Sequence, residues 1–154
     1  MIPSTIERVP RHTAGQVNEE IRRQTEANVA RHARAGPGVI DRRLAELDRE
    51  WDIERTLEAN AAAAVLVGLA LGAGVSSKLF FLPAVVAGFL LQHAVQGWCP
   101  PVPIFRRLGF RTETEIAEER YALKALRGDF GKLPTRDMPD RQQAARQAFE
   151  AVRH

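Results

Sequence analysis

The sequence holds one cysteine, Cys99, in 154 residues. One thiol excludes an intrachain disulfide framework and a cysteine-only zinc site within one chain. Aromatic side chains make up 6%, too few for a large aromatic core. Charge of one sign is scarce as well: 22 Lys and Arg against 19 Asp and Glu leave +3. So small a surplus argues against a dedicated nucleic-acid binder, in which basic side chains outnumber acids on one face. No Walker-type or GxGxxG phosphate loop, no HExxH and no CxxC occurs. Phosphate-loop, zinc-protease and dithiol chemistry therefore have no motif to rest on, and none calls for a cofactor. The stretch before residue 59 has no hydrophobic run. A cleaved signal peptide is not expected, and the first apolar run is expected to act as its own insertion signal.

Charge is missing most completely in the middle. From Ala59 to Ser77 no charged residue occurs, Lys78 interrupts, and Leu79 to Phe105 is again free of Asp, Glu, Lys and Arg. The apolar part of the second run ends at Trp98. Runs of this length read as two membrane-spanning helices, over about 59–76 and 79–98, joined by a tight turn. A soluble helical hairpin would instead carry a polar face at helical period. Between Ala61 and Val75 there is no polar side chain at all. Length is the tight point: Ala59 to Val75 gives ~26 Å of helix, and Pro83 to Trp98 gives ~24 Å, against a hydrocarbon core of ~30 Å. Pro83 fits the first turn of the second helix.

Lys and Arg number ten before the first span, one (Lys78) in the turn, and eleven after the second. The bias places both termini in the cytoplasm and Lys78 outside. The expected fold is all-α: a transmembrane hairpin over residues 59–98, flanked by charged helical arms over 1–58 and 99–154.

The first arm reads as two helices. Thr13 to Ala35 is rich in helix formers, and Gly36-Pro37-Gly38 forces a turn. The second starts near Val39 and is expected to run on into the first span, since no Gly or Pro intervenes before Val67. Its Ile40, Leu44, Leu47 and Trp51 form one narrow stripe. That stripe is either a dimer seam or a contact with the other arm or the membrane surface. Glu50, Asp52, Glu54 and Glu58, interleaved with Arg49 and Arg55, read as a solvated face. In the second arm, Pro100, Pro101 and Pro103 are expected to end the second span. Thr112 and Glu115 form a capping box at the start of a helix that Gly128 ends. Pro134 and Pro139 frame a loop before a last short helix over about 140–152.

Three groups of residues are candidates for function. Ala64, Gly68, Gly72 and Ser76 recur every fourth position along one face of the first span, and Ala84 and Gly88 continue the theme in the second. Small side chains let another backbone approach closely, whether the chain's own second span or another copy. A homodimer is the expected assembly. Lys78, Trp98, Arg106, Arg107 and Arg111 are expected at the membrane interface, where guanidinium groups meet lipid phosphate. Cys99 is a candidate reactive thiol, helped by positive charge and opposed by the negative end of the preceding helix. Gln92, His93 and Gln96 lie on the last turns of the second span, as a polar lining or as interhelical hydrogen bonders. A metal site built from Cys99 and His93 would need ligands from a second chain, and none is expected.

Asn60 ahead of the first span, Gly68-Leu69-Ala70-Leu71-Gly72 within it, and the ending Gly97-Trp98-Cys99-Pro100 resemble the inner membrane protein YgaP-like transmembrane family, a domain of unknown function. The likeness covers roughly residues 60–109. It implies a two-helix hairpin in the bacterial inner membrane that can dimerise; some relatives fuse the hairpin to a rhodanese sulfurtransferase domain, which this chain lacks. The function expected is that of a small, non-enzymatic integral membrane protein. It would be an oligomerising anchor or accessory subunit in the lipid bilayer, with arms presented to a protein partner and no nucleic acid bound. The alternative is a sulfur-relay or small-anion transport role through Cys99.

Overall fold

The computed structural model describes residues 4–132 and 141–153. Its described residues contain helices and no strand: α1 Gly15–Ala33, α2 Pro37–Leu47, α3 Ile53–Gly74, α4 Phe81–Gln96, α5 Val102–Arg107, α6 Glu113–Arg127 and α7 Arg141–Arg153. Short 3-10 turns stand at Pro10–His12, Ser77–Phe80 and Asp129–Lys132. The expected all-helical class holds. The loop framed by Pro134 and Pro139 lies outside the described residues.

Helix ends follow local chemistry. Gly36-Pro37 opens α2 with proline in its first turn, where a missing N–H removes no bond. The Thr112 hydroxyl accepts the Glu115 N–H at 3.3 Å, while the Glu115 carboxylate accepts the Thr112 N–H at 2.8 Å. The expected capping box is therefore present, and Gly128 ends α6 in the left-handed region at φ 91°.

Two expected boundaries move. The second helix of the arm does not run into the first span. It stops at Leu47, and Asp52 restarts the chain as an N-cap whose carboxylate accepts the Arg55 N–H at 2.7 Å. An aspartate three residues ahead of a free amide outcompetes continuation of the helix. With its first turn included, α3 has 22 residues, about 33 Å of helix. The prolines do not end the second span either. Gly97, at φ 77°, closes α4 by donating to His93 O at 2.7 Å. A Cβ at Gly97 would stand 2.5 Å from the Arg8 carbonyl, so glycine serves both the turn and the close passage of the N-terminal segment. Pro101 and Pro103 lie instead at the start of α5.

The arms pack on each other. Ile40, Leu44 and Leu47 of α2 form one cluster with Ile116 and Leu123 of α6. That settles the position of the stripe: it faces the other arm, except for Trp51, which lies beyond α2, is half exposed and carries the Arg55 guanidinium 4.3 Å from its ring centre. A second cluster, Val9, Ile53, Leu57, Cys99 and Val102, joins the N-terminal segment to the base of α3 and to the start of α5. The backbone N–H of Ile53 donates to Arg111 O at 2.8 Å and fastens the two arms together at the foot of α3.

Candidate functional site

Helices α3 and α4 pack along each other. At Gly68 a Cβ would stand 2.6 Å from Pro83 Cδ, and at Gly72 2.7 Å from the Phe80 ring. These two glycines therefore admit the chain's own second apolar helix. Ala64 is half-buried, Ser76, Ala84 and Gly88 are exposed, and a Cβ at Gly88 meets nothing. Lys78 is exposed in the turn, and Trp98 is half-buried.

Of the arginines expected at lipid phosphate, only Arg107 is exposed. Arg106 is 1% exposed. Its guanidinium forms a fork on the Glu115 carboxylate at 2.6 and 2.7 Å and also donates to Asn18 Oδ1 and Phe110 O. Arg111 binds Glu50 through two nitrogens at 2.8 and 2.7 Å and Glu119 at 2.5 Å. Glu119, fully buried, also accepts from Arg43 Nε at 2.7 Å. A planar fork matched to a carboxylate, with further acceptors for its remaining N–H groups, is the arrangement in which a guanidinium tolerates burial. Glu50 therefore does not belong to a solvated face, and neither does Asp52, the α3 cap.

Burial opposes the ionisation of Glu119, but hydrogen bonds from Arg43 and Arg111 outweigh it and hold its carboxyl below the ordinary value of 4.5. Glu115 is lowered in the same way: burial opposes, and the Arg106 fork prevails. A carboxylate with a depressed folded value stabilises the fold above its unfolded value and loses that contribution as pH falls through the folded one. The arms are thus expected to keep full stability above about pH 5 and to unfold progressively below the ordinary value of 4.5. Circular dichroism melts in detergent from pH 7 to 3 check this; a flat profile over that range would contradict it.

A distinct cluster lies where the N-terminal segment meets α3 and α4. Glu54, on the first turn of α3, bonds His93 Nε2 at 2.7 Å with one oxygen and Arg8 at 2.9 Å with the other. Arg8 also donates to Ala94 O at 2.9 Å. His93 is 2% exposed, and its Nδ1 is buried without a hydrogen-bond partner among the described residues. Cys99 is itself buried, 4% exposed, in the apolar cluster at the base of α3. Cys99 also lines an apolar cavity of about 420 Å³ between α3, α4 and the start of α5. Of Arg106 and Arg107, the two residues expected to bring positive charge to Cys99, Arg106 is committed to Glu115. Gln92 is half-buried and Gln96 exposed.

The sequence pointed to His93 and Cys99 but placed Glu54 on a solvated face, whereas its carboxylate binds His93. The missing signal was topological: an acid at the start of one apolar helix and a histidine at the end of the next become neighbours when the helices run antiparallel. No group of three His, Cys, Asp or Glu placed to hold a metal ion occurs among the described residues. A larger cavity of about 580 Å³ between α1, α2 and α5 is lined by Arg43, Arg106 and Arg111, whose guanidinium groups already face carboxylates. Set against family models, curated proteins and solved structures, the chain matches none of them, so its site is read from its own residues.

Proposed function

We propose that the chain is a small integral protein of a bacterial inner membrane, a non-enzymatic anchor. On this reading α3 and α4 cross the bilayer as a hairpin and the interlocked arms form a cytoplasmic docking surface for a protein partner. The observation that carries this reading is where the large apolar side chains lie bare. Leu66, Val67, Val75, Phe81 and Leu91 are all more than half exposed, and all sit on α3, α4 or their junction. Helices long and apolar enough to cross a membrane run over Ile53–Gly74 and Ser77–Gln96, with 17% and 11% of their most apolar stretches buried. A core helix of a water-soluble protein hides such a face; one left bare over two helices would drive aggregation in water. Meanwhile the charged residues of the arms pair with one another, as polar groups do on the water side of a membrane.

The orientation in the proposal follows the cation bias, with Lys78 alone at the far end. Self-association belongs to it too, with exposed Ala84 and Gly88 on α4 offering room for a second copy. So does the likeness to the YgaP-like family, carried by the ending Gly97-Trp98-Cys99-Pro100.

Membrane fractionation tests the reading. Full-length protein is expected to stay in the pellet after an alkaline carbonate wash, and a chain lacking residues 59–98 is expected in the supernatant. Purified wild type that stays monodisperse in buffer without surfactant would overturn it.

A further inference from the structure

The short helix α5 stands at the foot of the hairpin with one face bare. Gly97 to Pro101 alone separate it from α4, and its Val102 packs with Ile53 and Leu57 at the base of α3. We propose that the bare face, made of Ile104, Arg107 and Leu108, binds an anionic phospholipid. The Arg107 guanidinium holds the headgroup phosphate, and the two aliphatic side chains sit among the upper ends of the acyl chains.

Packing sets the face. Ile104, Arg107 and Leu108 follow the i, i+3, i+4 spacing that puts side chains together on one side of a helix. Val102 and Arg106 take the opposite side and are buried, while Ile104 and Leu108 are 59% and 69% exposed. A single bare leucine on a protein surface is ordinary. Two aliphatic side chains flanking a cation, at the base of a helix whose own apolar side chains are bare, form the pattern of an interfacial segment.

Charge selects the ligand. No Asp or Glu occurs between Glu58 and Glu113, and the Lys and Arg of that stretch are Lys78, Arg106, Arg107 and Arg111. Lys78 stands in the far turn. Arg106 is committed to Glu115, and Arg111 to Glu50 and Glu119. Arg107 has no acidic partner among the described residues. The acids of the adjoining polar groove do not supply one: Glu20 pairs with Arg23 at 3.3 Å and Glu50 with Arg111 at 2.7 Å. The anion for Arg107 must therefore come from outside the chain. A guanidinium can place two N–H groups on one phosphate. A zwitterionic headgroup brings its own ammonium to that phosphate and an anionic one does not, so a leftover cation favours the anionic lipid. A free phosphate ion would find the same cation but would make no use of Ile104 and Leu108.

The proposal rests on the membrane reading, which carbonate extraction checks separately: protein that stays in the pellet but shows no lipid preference sinks this proposal alone. Full-length protein in neutral-detergent micelles is titrated with phosphatidylglycerol or with phosphatidylcholine of the same acyl chains, and retained lipid is read by native mass spectrometry. Phosphatidylglycerol is expected to bind about fivefold more tightly, the effect of one cation near an anionic surface. Arg107→Gln is expected to erase that preference, and Lys78→Gln to leave it unchanged. Ile104→Ser combined with Leu108→Ser is expected to weaken both lipids alike, by about tenfold, through lost apolar burial. All these side chains are exposed, so the variants are expected to keep the wild-type melt. Inorganic phosphate at the concentration of the lipid is expected to leave the retained lipid in place. Equal affinities for the two lipids, a preference that survives Arg107→Gln or is lost in Lys78→Gln, or displacement of the lipid by inorganic phosphate would overturn the proposal.

Discussion

Glu119→Ala is expected to lower the stability of the arms by about 3–5 kcal/mol, the cost of removing one partner from a buried ion pair. Glu119 is fully buried and accepts from Arg43 on α2 and from Arg111 at the entry to α6. Alanine would leave both cations facing a space with no countercharge. Arg111 is 7% exposed and cannot turn to water, although Glu50 still holds it. Arg43 has more freedom, since Glu46 lies 3.1 Å away at a more exposed position. The residual partners place the loss toward the lower end of the range. Glu19→Ala is the matched control. Its contact with Arg22 joins two side chains that are both about half exposed, and loss of such a pair is expected to leave the melt unchanged. Denaturant melts of the two variants in one detergent check the contrast. Equal melts would show that the buried network adds nothing beyond surface pairing.

Gly68→Leu should separate α3 from α4, and Gly88→Leu should not. The Pro83 ring at Gly68 is rigid and belongs to the facing helix, so the helices themselves must move apart. Forcing bulk into a packed contact costs about 1–3 kcal/mol. Gly72→Leu should cost less, because the Phe80 ring it meets is half exposed and can rotate away. Gly88→Leu meets no neighbour within the chain. Its expected effect is loss of crosslinked dimer with an unchanged melt, whereas Gly68→Leu lowers the melt itself. Should Gly68→Leu abolish crosslinking and spare the melt, the glycine would be serving a second copy of the chain.

Much of the helical outline was legible because the signals are local. Gly36-Pro37, the Thr112–Glu115 capping box and Gly128 each act within one turn of the chain. The two apolar runs announced themselves by the absence of charge. Asp52 was equally local but was read as one more acid of a solvated face, so the break between α2 and α3 was missed. The buried network could not be read by composition, since Arg106 and Arg111 look like any interfacial arginine. A weaker sign was available on α6. Ile116, Glu119 and Leu123 share one face at helical spacing, and a glutamate between two core positions needs a cation opposite it. Of the two cations that meet it, Arg111 lies eight positions before it, and Arg43 lies far away in sequence, on the other side of both apolar helices.

That separation has a consequence for biogenesis. Arg43 and Glu119 are 76 positions apart, and the whole apolar stretch is translated between them. At about 5–20 residues per second, roughly 4–15 s pass before the second partner leaves the ribosome. Throughout that interval the leading segment has no α6 to close against. On the proposed membrane reading, it waits at the translocon with its stripe of Ile40, Leu44 and Leu47 uncovered. On that same reading, closure of the arms is conditional on delivery of the apolar helices: a nascent chain whose hairpin failed to insert would expose its own unfinished state to quality-control proteases.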